Sequence, residues 1–222
     1  MNKLSYLSKI SLFEALTMDE LKEIEQLTPM STIQRGQLIQ SPDSFREGLY
    51  MLKEGKLKLY KLHPDGKQFI VSVLGSGNVF GEIDSFSLGT RDTFIETMDE
   101  TILCSIGKEQ FEQFLIDRPH LTVRIMKELS RLLKERDAML AQLALGNVRE
   151  RILHLLQTLA EKFGVRDEGY SKIDMPLTHQ EIASMIGSTR ETVTMVLNEL
   201  CRNDQIKTGR MSVYVRMSQQ QE

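Results

Sequence analysis

The sequence predicts an α+β protein in which a rolled β structure is followed by one long helix and a winged helix-turn-helix. Three observations predict it. Glycines at 36, 48, 55, 66, 75, 77, 81 and 89 punctuate short β-branched and aromatic runs between Ser31 and Ile106. After Pro119, no proline or glycine interrupts the chain as far as Leu145. The segment LTHQEIASMIGSTRETVTMVLNEL, Leu177 to Leu200, sets two short amphipathic runs about a single glycine.

Composition bounds the reading before any motif does. A chain of 222 residues is long enough for two ordinary cores. With 41% apolar and 27% charged residues, and no charge-poor run that would span a bilayer, it reads as a soluble globular protein without a membrane partner. The start, MNKLSYLSKISLFEAL, has no continuous apolar stretch before a small-residue cleavage site, which gives a cytoplasmic expectation. Cys104 and Cys201 are far apart, and His63, His120, His154 and His179 form no compact motif. No disulfide framework, metal site, cofactor or catalytic residue is therefore expected, and the protein does not read as an enzyme. The net charge of -3 argues against indiscriminate nucleic-acid binding, so any contact with phosphates must come from a local basic excess.

In chain order, TMDELKEIEQLT from Thr17 predicts a short helix, with Thr17 and Glu20 as a capping box and Leu21, Ile24 and Leu27 on one side. Strands follow, such as GLYMLKEGKLKLYKL and KQFIVSVL, and many short strands with glycine turns imply a closed or rolled β structure. Asp65-Gly66 suits a primed hairpin turn. The stretch GNVFGEIDSFSLGTRDTFIET then places Gly81, Glu82 and Ile83 before a short polar excursion and Arg91 after it. Either these groups fold into an anion or sugar-phosphate pocket, or Glu82 and Arg91 pair with each other or face solvent around a plain turn.

From Pro119 to Leu145 the sequence predicts a long helix. Met126, Leu129, Leu133, Arg136, Leu140 and Leu143 follow the alternating spacing of a coiled-coil seam, with Ile125, Leu132 and Met139 as a second row. Two rows let one helix pack on its own β structure and on a partner's equivalent helix, which predicts a homodimer, the alternative being a helix buried wholly within a monomer. Gly146-Asn147 ends the run, and NVRERILHLLQTLAEKF begins another helix with Val148, Ile152, Leu155, Leu156 and Leu159 inward. The expected organisation is a β-roll sensor over 1–118, a dimerisation helix over 119–145 and a DNA-binding domain over 146–222.

RDEGYSKIDMPL reads as a loop or a short strand pair. Thr178 and Glu181 then form a capping-box signature, Ile182, Ala183 and Ile186 supply an apolar side, and Gly187 turns the chain. Ser188 and Glu191 have the spacing of a second capping box. Val193, Val196, Leu197 and Leu200 face inward, leaving Arg190, Glu191, Thr194 and Asn198 on another face, with Thr189 at its beginning and Met195 beside it. Two short helices about a glycine, with base-reading residue types at the open end of the second, meet the requirement of a helix-turn-helix reader. Arginine can contact guanine and a carboxylate can accept from cytosine. After Leu200, Asp204-Gln205 reads as a turn, Ile206-Lys207 as a strand start, Thr208-Gly209 as a bend and Val213, Tyr214, Val215 as the returning strand of a wing. Lys207 and Arg210 are candidate phosphate contacts there, and Thr178, His179 and Ser188 complete the expected DNA-binding set.

From roughly Ile10 to Arg216 the chain resembles the cyclic-AMP receptor protein and fumarate-nitrate regulator (CRP/FNR) family of bacterial transcription regulators. The resemblance implies an N-terminal double-stranded β-helix (a jelly-roll, cyclic-nucleotide-binding-like), a dimerising helix and a winged helix that reads inverted repeats in double-stranded DNA, with RNA polymerase as a further candidate partner. It carries base contact onto Arg190 and Glu191. Met195 stands where the cyclic-AMP receptor protein places an arginine, which implies a different operator, since a thioether cannot donate to guanine. In the sensor, Glu82 and Arg91 match the family's ribose-binding and phosphate-binding residues, but Asp92 replaces a serine and Arg136 replaces a small hydroxyl residue. The implied effector set is Gly81, Glu82, Ile83, Arg91, Asp92, Thr93 and Arg136, and the implied effector is a small molecule other than cyclic AMP. Effector-independent activity, a cyclic-AMP response, and a scaffold using the helix-turn-helix for protein contact remain alternatives.

Overall fold

The computed structural model describes residues 3–44, 46–83 and 86–217, so Asp84 and Ser85 of the polar excursion lie outside the described residues. The chain forms two compact units, Met1–Lys61 with Val71–Arg136 and Leu62–Ile70 with Asp137–Glu222. The first begins with α1 (Lys3–Leu7) and α2 (Met18–Leu27). Thr17 caps α2 as its sequence predicts: its hydroxyl accepts from the Glu20 amide, and the Glu20 carboxylate reaches back to the Thr17 amide at 2.8 Å.

Strands β1 (Met30–Ile33), β2 (Leu38–Gln40), β3 (Gly48–Glu54), β4 (Leu57–Leu62), β5 (Gln68–Leu74), β6 (Val79–Ile83), β7 (Phe86–Ser87), β8 (Phe94–Thr97) and β9 (Thr101–Gly107) follow, then α3 (Lys108–Ile116) and α4 (His120–Leu145). The strands make two sheets, ordered β1-β9-β3-β6-β7 and β2-β8-β4-β5. Leu52, Phe80 and Leu103 from the first meet Leu57, Leu59 and Ile95 from the second in a small inner core. The alternate residues of the first sheet, among them Leu49, Met51, Cys104 and Ile106, point the other way into a larger core with Tyr6, Phe13, Ile24, Phe111 and Phe114. The period-two alternation of strand side chains thus feeds both cores, and each fully buried Leu or Phe contributes about 1.5–3 kcal/mol.

Asp65-Gly66 does lie between two strands, but among these two only Gly66 has a positive φ, 85°. Both primed turn types need a positive φ at the first central residue, which Asp65 lacks, so the loop is instead a longer one in which the Gly66 amide donates to the His63 carbonyl and the His63 amide to the Lys67 carbonyl.

Helix α4 begins immediately after Pro119. Leu121 and Ile125 are buried in the larger core, with Leu129 and Leu132 packed against it. Leu129, expected in the open seam, therefore faces its own unit. Met126, Leu133 and Leu140 are 61%, 62% and 62% exposed and stand seven residues apart; Arg136 and Leu143 are half-buried.

The second unit contains α5 (Val148–Phe163), β10 (Gly164–Asp167), β11 (Tyr170–Ile173), α6 (His179–Ile186), α7 (Arg190–Arg202), β12 (Ile206–Gly209) and β13 (Ser212–Arg216). Asn147 caps α5 in a box with Glu150. RDEGYSKIDMPL contains a strand pair, turned tightly by Glu168 and Gly169, both at positive φ. Its second strand joins the sheet β10-β11-β13-β12. Gly209 lies in β12 and pairs with Ser212, so the wing turns at Arg210-Met211 rather than at Thr208-Gly209. Met211, in that turn, takes a positive φ of 56°.

Candidate nucleic-acid interface and effector pocket

Each helix of the α6–α7 pair is closed at both ends by identifiable bonds. Thr178 accepts from the Glu181 amide at 3.1 Å while Glu181 accepts from the Thr178 amide at 2.8 Å. At the other end Gly187 adopts the left-handed conformation, φ 63° and ψ 46°, and the Ser188 amide donates to the Ala183 carbonyl at 3.0 Å. Arg151 of α5, for which the sequence carried no signal, donates to the Ile186 carbonyl at 2.8 Å.

Helix α7 is capped by Thr189, whose hydroxyl accepts from the Thr192 amide at 3.2 Å. The expected Ser188–Glu191 box is not the cap. The helix starts one residue later than that box requires, so Glu191 has no part in capping and its side chain is exposed. Val193, Val196, Leu197 and Leu200 are buried. Arg190, Glu191 and Asn198 are exposed, and Met195 is 66% exposed. Thr194 is half-buried: its hydroxyl donates to the Arg190 carbonyl at 2.8 Å and lies 2.7 Å from His179 Nδ1.

In the wing, the Leu177 amide donates to the Met211 carbonyl at 3.1 Å, which ties the turn bearing Arg210 to the chain entering α6. Lys207 lies over the Tyr170 ring, 4.0 Å from its centroid. Tyr170 in turn donates to Asp204 at 2.7 Å, and Arg216 bonds the other Asp204 oxygen at 2.7 Å. Lys207 therefore covers an aromatic ring, and Arg210 is the wing cation at the turn itself.

The sensor residues are brought together differently from the expectation. Gly81, Glu82 and Ile83 all lie in β6 and are buried. A side chain at Gly81 would stand 2.2 Å from the Gly48 carbonyl, so that glycine is explained by close strand approach. Glu82, 5% exposed, neither pairs with Arg91 nor faces solvent. Its Oε1 accepts from the Thr90 amide at 2.7 Å and the Thr90 hydroxyl at 2.9 Å. Gln40 and the Thr93 hydroxyl both donate to the Thr90 carbonyl, at 2.7 and 2.6 Å. Arg91 is exposed and sits 4.0 Å from Glu47, itself bonded by Lys108 at 3.0 Å; Asp92 is exposed. Thr90, Gln40 and Glu47 carried no local signal, because their partners lie far off in sequence or follow from the folded turn. Burial lowers the pKa of the Arg136 guanidinium, opposed by Glu135.

Two domain families match the chain: the cyclic nucleotide-binding domain over residues 31–118 and the Crp-like helix-turn-helix domain over residues 150–218. A global nitrogen regulator of Nostoc is 31% identical over 188 residues, 84% of each chain. A CRP-like cAMP-activated global transcriptional regulator of Mycobacterium tuberculosis is 28% identical over 191 residues, 86% of this chain and 85% of that one. Among solved structures, the c-di-GMP responsive global regulator CLP of Xanthomonas campestris superposes with a TM-score of 0.76 at 20% identity, covering 91% of this chain and 100% of that one, a likeness of fold.

Proposed function

Because the chain belongs to the CRP/FNR family of DNA-binding transcription regulators, we propose that it acts as a homodimer whose two α7 helices read an inverted repeat under the control of an effector other than cyclic AMP. Residues 1–118 serve as sensor, 119–145 as dimerisation helix and 146–222 as reader. It works in the cytoplasm, where RNA polymerase is the machinery it regulates; among the described residues no helix is long and apolar enough to cross a membrane.

The observation that carries the DNA reading is the division of α7. Its Val and Leu residues are buried, while Arg190, Glu191, Met195 and Asn198 stand open, with Glu191 released from the cap. Arginine and glutamate are suited to guanine and cytosine edges in the major groove. Selection of bound duplexes from a random-sequence pool is expected to return an inverted repeat; a pool without enrichment overturns the reading.

The effector reading rests on Glu82 and Asp92. A carboxylate already bonded twice by Thr90 offers less to a ribose hydroxyl, and an exposed carboxylate beside Arg91 repels a cyclic phosphate. Titration calorimetry with cyclic AMP is expected to give no saturable heat. Micromolar binding of one nucleotide per subunit rejects it.

A further inference from the structure

Helix α7 has about 3.6 residues per turn, so its buried residues fix which line along it faces away from the core. Val193, Val196, Leu197 and Leu200 mark the buried side. Opposite them run Glu191, Met195, Asn198 and Arg202, spaced by four, three and four residues and all exposed. Three of these side chains carry charged or amide groups. Met195 is the apolar one, and it stands one helical turn, about 6 Å, beyond Glu191.

The neighbour that could offer a hydroxyl at this level is withdrawn. Thr194 is half-buried, and its hydroxyl oxygen lies 2.8 Å from the Arg190 carbonyl and 2.7 Å from His179 Nδ1. A threonine hydroxyl has one proton to give, and here it is used inside the protein whichever of these two takes it. At the middle of α7 the group left to meet a base pair is therefore the Met195 thioether.

The chemistry of the major groove then selects the base. Guanine shows two acceptors there, cytosine a donor and adenine one of each, whereas thymine shows one acceptor and its C5-methyl group. A thioether donates nothing and accepts weakly, so against a polar edge it displaces water without replacing the lost hydrogen bonds. Against the thymine methyl it covers apolar surface, and its unbranched chain can follow that methyl. We infer that Met195 is a specificity-determining residue that selects thymine, at a base pair within about two steps of the one met by Glu191. The inference rests on the DNA-binding reading above and names one base of the half-site.

The test selects duplexes bound by the full chain from a random-sequence pool. Each thymine of the enriched half-site is then replaced in turn by deoxyuridine, which removes the C5-methyl and no hydrogen-bonding group. Affinities are read by anisotropy of fluorescein-labelled duplexes at fixed salt. At one thymine of the half-site the parent protein is expected to lose about fourfold in affinity, the worth of one buried methyl group. Met195→Ala is expected to bind the thymine duplex more weakly and to be indifferent to that substitution. Met195→Gln brings an amide that pairs with adenine, and a repeated selection is expected to move the preference at that position from thymine to adenine. This second variant is read as a change of sequence, so a loss of stability in the Ala variant does not decide the result. A parent indifferent to every deoxyuridine, an Ala variant as sensitive as the parent, or a Gln variant that still selects thymine there overturns the inference and leaves the DNA-binding reading standing. A pool without enrichment overturns that reading and the inference with it.

Discussion

Glu191 and Thr189 are two residues apart and have separable tasks. Thr189 closes the start of α7, whereas Glu191 is an exposed carboxylate with no place in that cap. Thr189→Ala is expected to cost about 1 kcal/mol of stability in a thermal melt while leaving the ranking of mismatched operators unchanged. Glu191→Gln is expected to keep the melting temperature and broaden that ranking at the position opposite cytosine. The reverse pattern assigns the cap to Glu191 and removes it as a reader. Spacing alone does not decide such a case, because Ser188–Glu191 and Thr189–Thr192 both offer an oxygen three residues before an amide, and the helix start depends on where Gly187 releases the chain. The sensor makes the same point. Glu82 was legible as a site candidate, but its partner Thr90 was not, since the turn that folds Thr90 back over the carboxylate is a property of the folded strands. Thr90→Val is expected to leave a buried carboxylate short of one donor and to destabilise the protein by about 1–3 kcal/mol, measured by denaturant titration.

At the scale of elements, the long helix and the helix pair were legible because periodicity and caps are local. The capping boxes Thr17–Glu20 and Thr178–Glu181 stand where their spacing put them. The wing turn was displaced by two residues because glycine was taken as the bend; Gly209 instead holds a ladder position, and Met211 accepts the left-handed conformation. Gly81 is the clearest case of a local motif explained by a neighbouring strand. Gly81→Ala drives a Cβ into the Gly48 carbonyl on β3, and it is expected to lower the yield of folded protein or the melting temperature by more than the few degrees of an ordinary surface change. If Gly81→Ala folds with the parent's stability, the glycine is retained for ligand approach instead. On α4, burial sorts the two apolar rows that sequence spacing only placed side by side: Ile125, Leu129 and Leu132 are used by the unit's own core, and Met126, Leu133 and Leu140 remain open. Three large apolar side chains at heptad spacing on one exposed face are what a partner helix of the same kind would cover.

For the whole molecule, the homodimer proposed above would use that open row to link two readers. In such a dimer, binding of one α7 to a half-site would raise the effective concentration of the second, so the pair would gain affinity that neither reader has alone. The gain depends on geometry: two half-sites about 34 Å apart, one helical turn, present successive major grooves on the same face of the duplex. Inserting about five base pairs between the half-sites turns the second groove to the opposite face and should reduce affinity at least tenfold, although every base contact remains in place. Replacing both Leu133 and Leu140 by glutamate sets like charges against each other along the open row and is expected to give monomers in sedimentation velocity. That variant should already bind each half-site independently. Its affinity should be weak, and the insertion should change it by less than twofold. The two perturbations are thus expected to be non-additive, each removing the same linkage. A Leu133→Glu/Leu140→Glu protein that stays dimeric when dilute removes this row as the interface. A monomeric variant that remains as sensitive to the insertion as the parent would show that the spacing requirement lies in the DNA, and not in a pair of readers joined through α4.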